Sequence, residues 1–423
     1  MSTRRSWFWP LNSLFVVLPS AAIFAVVLAR TWEMLSWPYP VWVQASAHWH
    51  QQFVFAGPIA AAMACLWAVR LGGADRIWAQ PQAPRMGSGV VARHLRLLLG
   101  WFVGSYVAAL LPLTITTAVN GAIGAPQPGV MASGVLAMSA ATAVGYVVGT
   151  LVRSLAVVPL VAVIFYGLDA FAAYGTDTFG AVIPQLYTDP VVGLAESTEL
   201  VVFRLAFFFV VTAASVALAA TVLRSHSTGR HQSRLVRVGD VALYATAPVA
   251  LIVTALITTP HLFQIEASAD ERICRTVDGI EYCVHEDNTP RLDQMITEFG
   301  HVLHRYGTTP IQFDGVWDHT LLLHTPMNGQ PIDGALVARL EPDGSVDTLS
   351  SGLIPSLIGI TRCAGSLPGE VETLYGNLAD YLSTGRPIGV FNGMRPDEIR
   401  AWIHQHRDQL DDCTLQPQDL PRR

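Results

Sequence analysis

Apolar side chains dominate seven long stretches of this chain, at 11–30, 52–70, 97–118, 129–152, 154–173, 201–223 and 240–259. Each approaches the roughly 20 residues that an α-helix, rising about 1.5 Å per residue, needs to cross a hydrocarbon core about 30 Å thick. The pattern predicts seven membrane-spanning helices. The first stretch, Leu11 to Ala29, is too long for a signal-peptide core and has no convincing cleavage site, so it reads as a retained signal anchor. Between the fifth and sixth stretches, residues 178–199 are apolar but broken by Pro184 and Pro190. They are too short to span, which predicts a hairpin dipping into the outer leaflet.

The pattern changes after residue 260. Residues 289–305 place Leu292, Met295, Ile296, Phe299, Val302 and Leu303 on one helical face. ALVARL, EPDG and SVDTLS read as a β-hairpin turning at Asp343-Gly344. Residues 371–382 and 396–410 read as amphipathic helices, the second with Pro396 at a permitted first-turn position. The expected fold class is therefore an α-helical multi-pass membrane protein with a C-terminal mixed α/β domain. The expected divisions are a six-span bundle over 1–238, a seventh transmembrane helix over 239–260, and an extracytoplasmic domain over 261–423.

Charge adds orientation. Residues 1–259 hold 14 Arg and 8 acids, whereas 260–423 hold 12 Arg and 24 acids. Twelve of the first 14 arginines lie before the first span or in the second, fourth and sixth gaps, among them Arg4, Arg76, Arg153 and Arg234. Basic residues resist translocation, so that side is cytoplasmic. An odd number of spans then leaves the N-terminus inside and the C-terminal domain outside the cell. The outer gaps carry Trp32, Trp37, Tyr39, Trp42, Trp49 and Tyr187, rings that settle at headgroup level.

All 26 basic residues are Arg. A Walker A phosphate loop needs its Lys, so the chain is not a conventional P-loop ATPase, and lysine Schiff-base chemistry is excluded too. Four of the five cysteines, Cys274, Cys283, Cys363 and Cys413, follow the last span, where an even count suggests disulfides. Three pairings are possible. Cys274–Cys283 and Cys363–Cys413 are favoured, and Cys65 reads as a small apolar residue within a span.

Candidate chemistry is sparse. His301 and His304 lie in HVLH rather than the HExxH of a zinc protease. His404 and His406 point apart on a helix, and His48 and His50 read as interfacial. Asp314, Asp318 and Asp333 read as solvated loop acids. There is no GxSxG elbow. No metal site, catalytic residue or nucleic-acid partner is expected. Within the spans, Gly100 with Gly104 and Gly145 with Gly149 are small-xxx-small pairs of the kind that let helix backbones approach. Asp169 and Arg204 are the charges inside spans, near the outer surface on consecutive helices, and form a candidate intramembrane pair.

The six-span core, with a polar segment after the second span and a Pro-broken outer segment before the sixth, resembles the ABC-2-type exporter permeases. GYVVGTLVRS (145–154) looks like the small-residue pattern common there. EYCVHEDNTPRLDQM and DEIRAWIHQHRDQLDDCTLQPQDLP look like an outer domain attached to such permeases in actinobacteria. The resemblance implies a transport subunit in the cell membrane, driven by a separate ATPase that holds the ATP and Mg, with a second permease copy beside it. ATPase contact is then expected at Gly73–Arg93, where Asp75, Arg76, Ile77 and Trp78 offer charged and apolar anchors. A membrane-anchored sensor or binding protein presenting the outer domain is the alternative.

Overall fold

In the computed structural model the described residues are 14–71, 88–173, 177–186, 190–227, 234–258, 261–266, 271–307, 315–323, 335–347, 353–360, 363 and 368–421. The chain divides into two compact units, one of residues 1–191 and 195–264, the other of 192–194 and 265–423.

The first unit is a helical bundle. Its elements are α1 (Leu14–Thr31), α2 (Trp42–Gln51), α3 (Phe53–Leu71), α4 (Ser88–Val119), α5 (Pro128–Val152), α6 (Val157–Ala173), α7 (Asp177–Val182), α8 (Thr198–Ser227) and α9 (Arg234–Thr258). Every predicted span coincides with a helix. Among the described residues, five segments are long and apolar enough to cross a membrane: Leu14–Thr31, Trp42–Leu71, Ser88–Val119, Pro128–Val152 and Thr198–Arg224. The stretches Val157–Ala172 and Ala242–Thr258 are apolar but shorter. Helix α9, at the seventh predicted span, belongs to this unit and lays Tyr244, Leu251 and Ile252 against the bundle core.

Helices α3 and α5 form the centre of the bundle, and the two glycine pairs behave differently there. A Cβ at Gly145 would fall 2.0 Å from the Ala61 carbonyl oxygen, and one at Gly149 would fall 2.3 Å from that of Cys65. Helix α5 thus lies directly on the backbone of α3. A Cβ at Gly100 or Gly104 would meet nothing within 4 Å, so among the described residues that pair packs against no neighbouring helix, contrary to the expectation. The identical motif sits on an exposed face of α4, together with Leu111 and Ile115.

The first connection also differs from the sequence reading. Residues 42–51 form α2, and all but its first two residues are buried. Gln52 keeps a right-handed helical conformation, so α2 runs on toward α3 rather than resting as an interfacial loop.

In the second unit, β3 (Arg272–Val277), β4 (Ile280–His285), β5 (Gly315–Asp318), β6 (Ala335–Leu340) and β7 (Val346–Asp347) form one five-stranded sheet in sequence order. The outer pairs are antiparallel hairpins, whereas β4–β5 and β5–β6 are parallel. The expected β6–β7 hairpin turns at Gly344, whose φ of 90° only glycine adopts freely. Helices α10 (Leu292–Tyr306), α11 (Leu353–Leu357), α12 (Gly369–Thr384), α13 (Pro396–Gln405) and α14 (Arg407–Asp411) complete the unit. The predicted 396–410 helix breaks at His406 into α13 and α14. Leu292, Met295, Phe299 and Val302 of α10 enter the core with Val316, Leu374, Tyr375 and Ile399.

Disulfides join Cys274 to Cys283 across the β3–β4 hairpin and Cys363 to Cys413 beyond α14. Glu281 lies beside the first pair, but sulfurs bonded to each other offer no thiolate to a metal. His301 and His304 are exposed, and His406 stacks on Trp402. Asp318 is not a solvated acid. It is 1% exposed and accepts hydrogen bonds from Asn288 Nδ2 and the Thr320 and His285 backbone N–H groups. Burial raises its pKa although those donors hold the charge. Asp314 and Asp333 lie outside the described residues.

Candidate functional site: a buried charge cluster

The path between α6 and α8 sets up the site. Helix α7 lasts six residues, and Pro184 removes the donor needed to continue it. Backbone carbonyls in this stretch therefore need partners from elsewhere, and in a dry interior each unsatisfied one is costly. Ala181, Leu186, Leu200 and Leu262 bury the segment against Ala47 of α2. Strands β1 (Leu194–Glu196) and β2 (Phe263–Ile265) pair just before α8, where the Ser197 hydroxyl accepts from the Leu200 N–H and caps the helix.

Arg204, six residues into α8, is 0% exposed. Its Nη2 donates to the Gly180 carbonyl at 2.6 Å, with Nε on the same oxygen at 3.2 Å. Nη1 donates to Glu196 Oε2 at 2.7 Å. The other carboxylate oxygen, Oε1, lies 2.6 Å from His50 Nε2, and His50 Nδ1 lies 3.0 Å from the Pro184 carbonyl oxygen. His50 and Glu196 are 0% and 4% exposed. Side chains from α2 and α8 thus hold two carbonyls of the helix-breaking segment, and Glu196 of β1 bridges them.

The expected Asp169–Arg204 pair is corrected by this geometry: the carboxylate that Arg204 binds is that of Glu196. Asp169 is buried on α6, its Oδ2 meets no hydrogen-bond donor among the described residues, and it lies within electrostatic reach of Tyr106. Tyr106 in turn donates its hydroxyl to the Trp49 carbonyl, one residue from His50. Asp75, Arg76, Ile77 and Trp78 lie outside the described residues.

Sequence reasoning missed His50 and Glu196. In the sequence Glu196 is one of the 8 acids of residues 1–259, eight residues before Arg204, with nothing to mark it as a partner. No family model, curated protein or solved structure matches this chain.

Proposed function

We propose that this chain is the membrane-spanning permease subunit of an ATP-binding cassette exporter, worked by a separate ATPase subunit. The observation that carries the reading is the broken segment between α6 and α8, folded into the bundle and held there by Arg204 and His50. Irregular backbone at that depth is tolerated only where protein or a water-filled path satisfies it, and transport proteins build their moving parts from such breaks. A simple anchor has no need of one. The all-Arg composition supports the same division of labour, since ATP hydrolysis then falls to a partner holding ATP and Mg.

In this reading seven crossings place the N-terminus in the cytoplasm and the disulfide-bearing domain outside the cell. The arginine distribution and the two disulfides support that orientation. Residues 73–93, with Asp75, Arg76, Ile77 and Trp78, take the ATPase contact. A second permease copy shares the bilayer, and closure of the ATPase pair switches the bundle between inward-facing and outward-facing states. The test is purification from native membranes in mild detergent. A nucleotide-binding subunit should accompany the chain and be lost from a Trp78→Ala, Arg76→Ala variant; isolation without any such subunit refutes the reading.

The membrane-anchored sensor remains a second reading, favoured by a C-terminal unit with its own core and two disulfides. ATPase activity of the complex distinguishes the two. It should survive in a chain ending at Gln264 if the C-terminal unit is accessory to transport.

A further inference from the structure

The contact of His50 with Glu196 does not balance unless an extra proton is present. A neutral imidazole has one N–H and one lone pair. Its Nδ1 faces the Pro184 carbonyl oxygen at 3.0 Å, which can only accept, so Nδ1 carries a hydrogen. Its Nε2 then faces Glu196 Oε1 at 2.6 Å. Two lone pairs repel at that distance. The contact is attractive only with a proton between them, as imidazolium and carboxylate or as imidazole and carboxylic acid. Both forms hold the same number of protons, and with Arg204 the cluster carries one net positive charge.

We infer that the His50–Glu196 pair is a proton-binding site within the bundle, and that its occupancy determines whether the segment 177–186 stays docked on α2. The ligand is a single proton. When it leaves, the ring retains one hydrogen for two acceptors, so either the Pro184 carbonyl or the Glu196 carboxylate must separate from it. With both side chains buried, water cannot take the vacated place without opening the segment.

The groups around the pair set the proton's site. Arg204 Nη1, from α8, lies 2.7 Å from Glu196 Oε2 and 3.3 Å from His50 Nε2, within reach of both. Asp169 from α6 and Tyr106 from α4 form a neighbouring polar group, and His48 shares α2. Glu199, also on α8, is exposed. The inference stands on this geometry and not on the transport reading, so either can fail alone.

The test is amide hydrogen exchange of the full chain in lipid nanodiscs between about pH 5 and 9, expressed as protection factors over 177–186. Wild type should lose protection in one step as pH rises, by at least about tenfold. Glu196→Gln should stay protected throughout, because its amide donates to Nε2 while Nδ1–H keeps Pro184. Flat wild-type protection, or an undiminished step in Glu196→Gln, overturns the inference. Should Glu196→Gln not fold, ring-15N shifts of His50, taken as the difference from His50→Gln, give a second readout. Two protonated nitrogens, or one with a protonated carboxyl opposite, are expected below the step. A ring with one proton facing a carboxylate across the whole range refutes it.

Discussion

Replacing Gly145 with Ala adds one methyl group where α5 crosses α3. The new Cβ falls 2.0 Å from Ala61 O, 2.6 Å from Ala61 C and 2.7 Å from Ala61 Cα. Carbon–oxygen contacts settle near 3.3 Å, so the two helices must part by more than about 1 Å. The obstacle is backbone, which no rotamer change can remove. Overpacking commonly costs about 1–3 kcal/mol, and an obstacle made of main chain places this substitution at the upper end, about 3 kcal/mol.

Gly100→Ala and Gly104→Ala make the same chemical change with no atom within 4 Å. They should gain roughly 0.5–1 kcal/mol, because Ala loses less backbone entropy than Gly on entering a helix. Cys65 supplies the assay. It is a free, fully buried thiol on α3, and the other four cysteines are disulfide-bonded. Thermal unfolding followed by a thiol-reactive dye therefore reports on the bundle while the C-terminal unit stays silent. The expected order is Gly145→Ala well below wild type, with Gly100→Ala and Gly104→Ala at or above it. Equal midpoints for Gly145→Ala and Gly100→Ala would show that α3 and α5 do not touch backbone to backbone.

The same dye assay should show Arg204→Gln destabilised by about 3–5 kcal/mol, since Glu196 and the Gly180 carbonyl are left buried without their donor. Arg204→Lys should recover only part of this, because one ammonium cannot serve both partners in the fork geometry seen here; full recovery would contradict the forked role. In the C-terminal unit, Cys363→Ser with Cys413→Ser opens a 50-residue loop and should cost about 4 kcal/mol, against about 2.5 kcal/mol for the 9-residue Cys274–Cys283 loop. Pulse proteolysis in urea gives both values, and the reverse order would count against the chain-entropy account. His319 is pushed down to about 4 from 6.5, first by burial and then by the Arg339 charge. Between those values the unfolded chain binds the extra proton, so its contribution is complete above pH 6.5 and is lost as pH falls to about 4. Allowing for partial exposure, the loss is on the order of 2 kcal/mol. Asp318 acts in the opposite sense, so the effect is measured as the difference in urea midpoint between wild type and His319→Gln; an unchanged difference across this range refutes it.

What sequence could and could not show follows from how far each feature depends on its neighbours. A span is announced by its own twenty residues, and α10 by the period of its own apolar face. The motif at Gly100-Gly104 and the one at Gly145-Gly149 are the same motif, yet only the second has a helix laid on it. Small residues permit close approach without saying which face receives it. The parallel order β4–β5–β6 was illegible for a related reason: these strands are four to six residues long, and their partners lie across long connections.

Polar groups in the bundle are the extreme case. In the sequence Asp169 and Arg204 fall in consecutive apolar stretches, which makes them the natural pair if both stretches are treated as isolated rods. The actual partner of Arg204 depends on the segment between those rods, because Pro184 ends α7 and leaves carbonyls that a guanidinium can satisfy. Arg204 turns to Gly180, and Glu196 follows to balance it. His50 then completes the set from α2, a helix in which Gln44, Ser46, His48, His50 and Gln51 are all buried. No apolar periodicity announces such a helix. His50 belongs in the interior because the irregular backbone at Pro184 requires a donor there, so the same break that conceals the site from sequence reading is the physical reason the site exists.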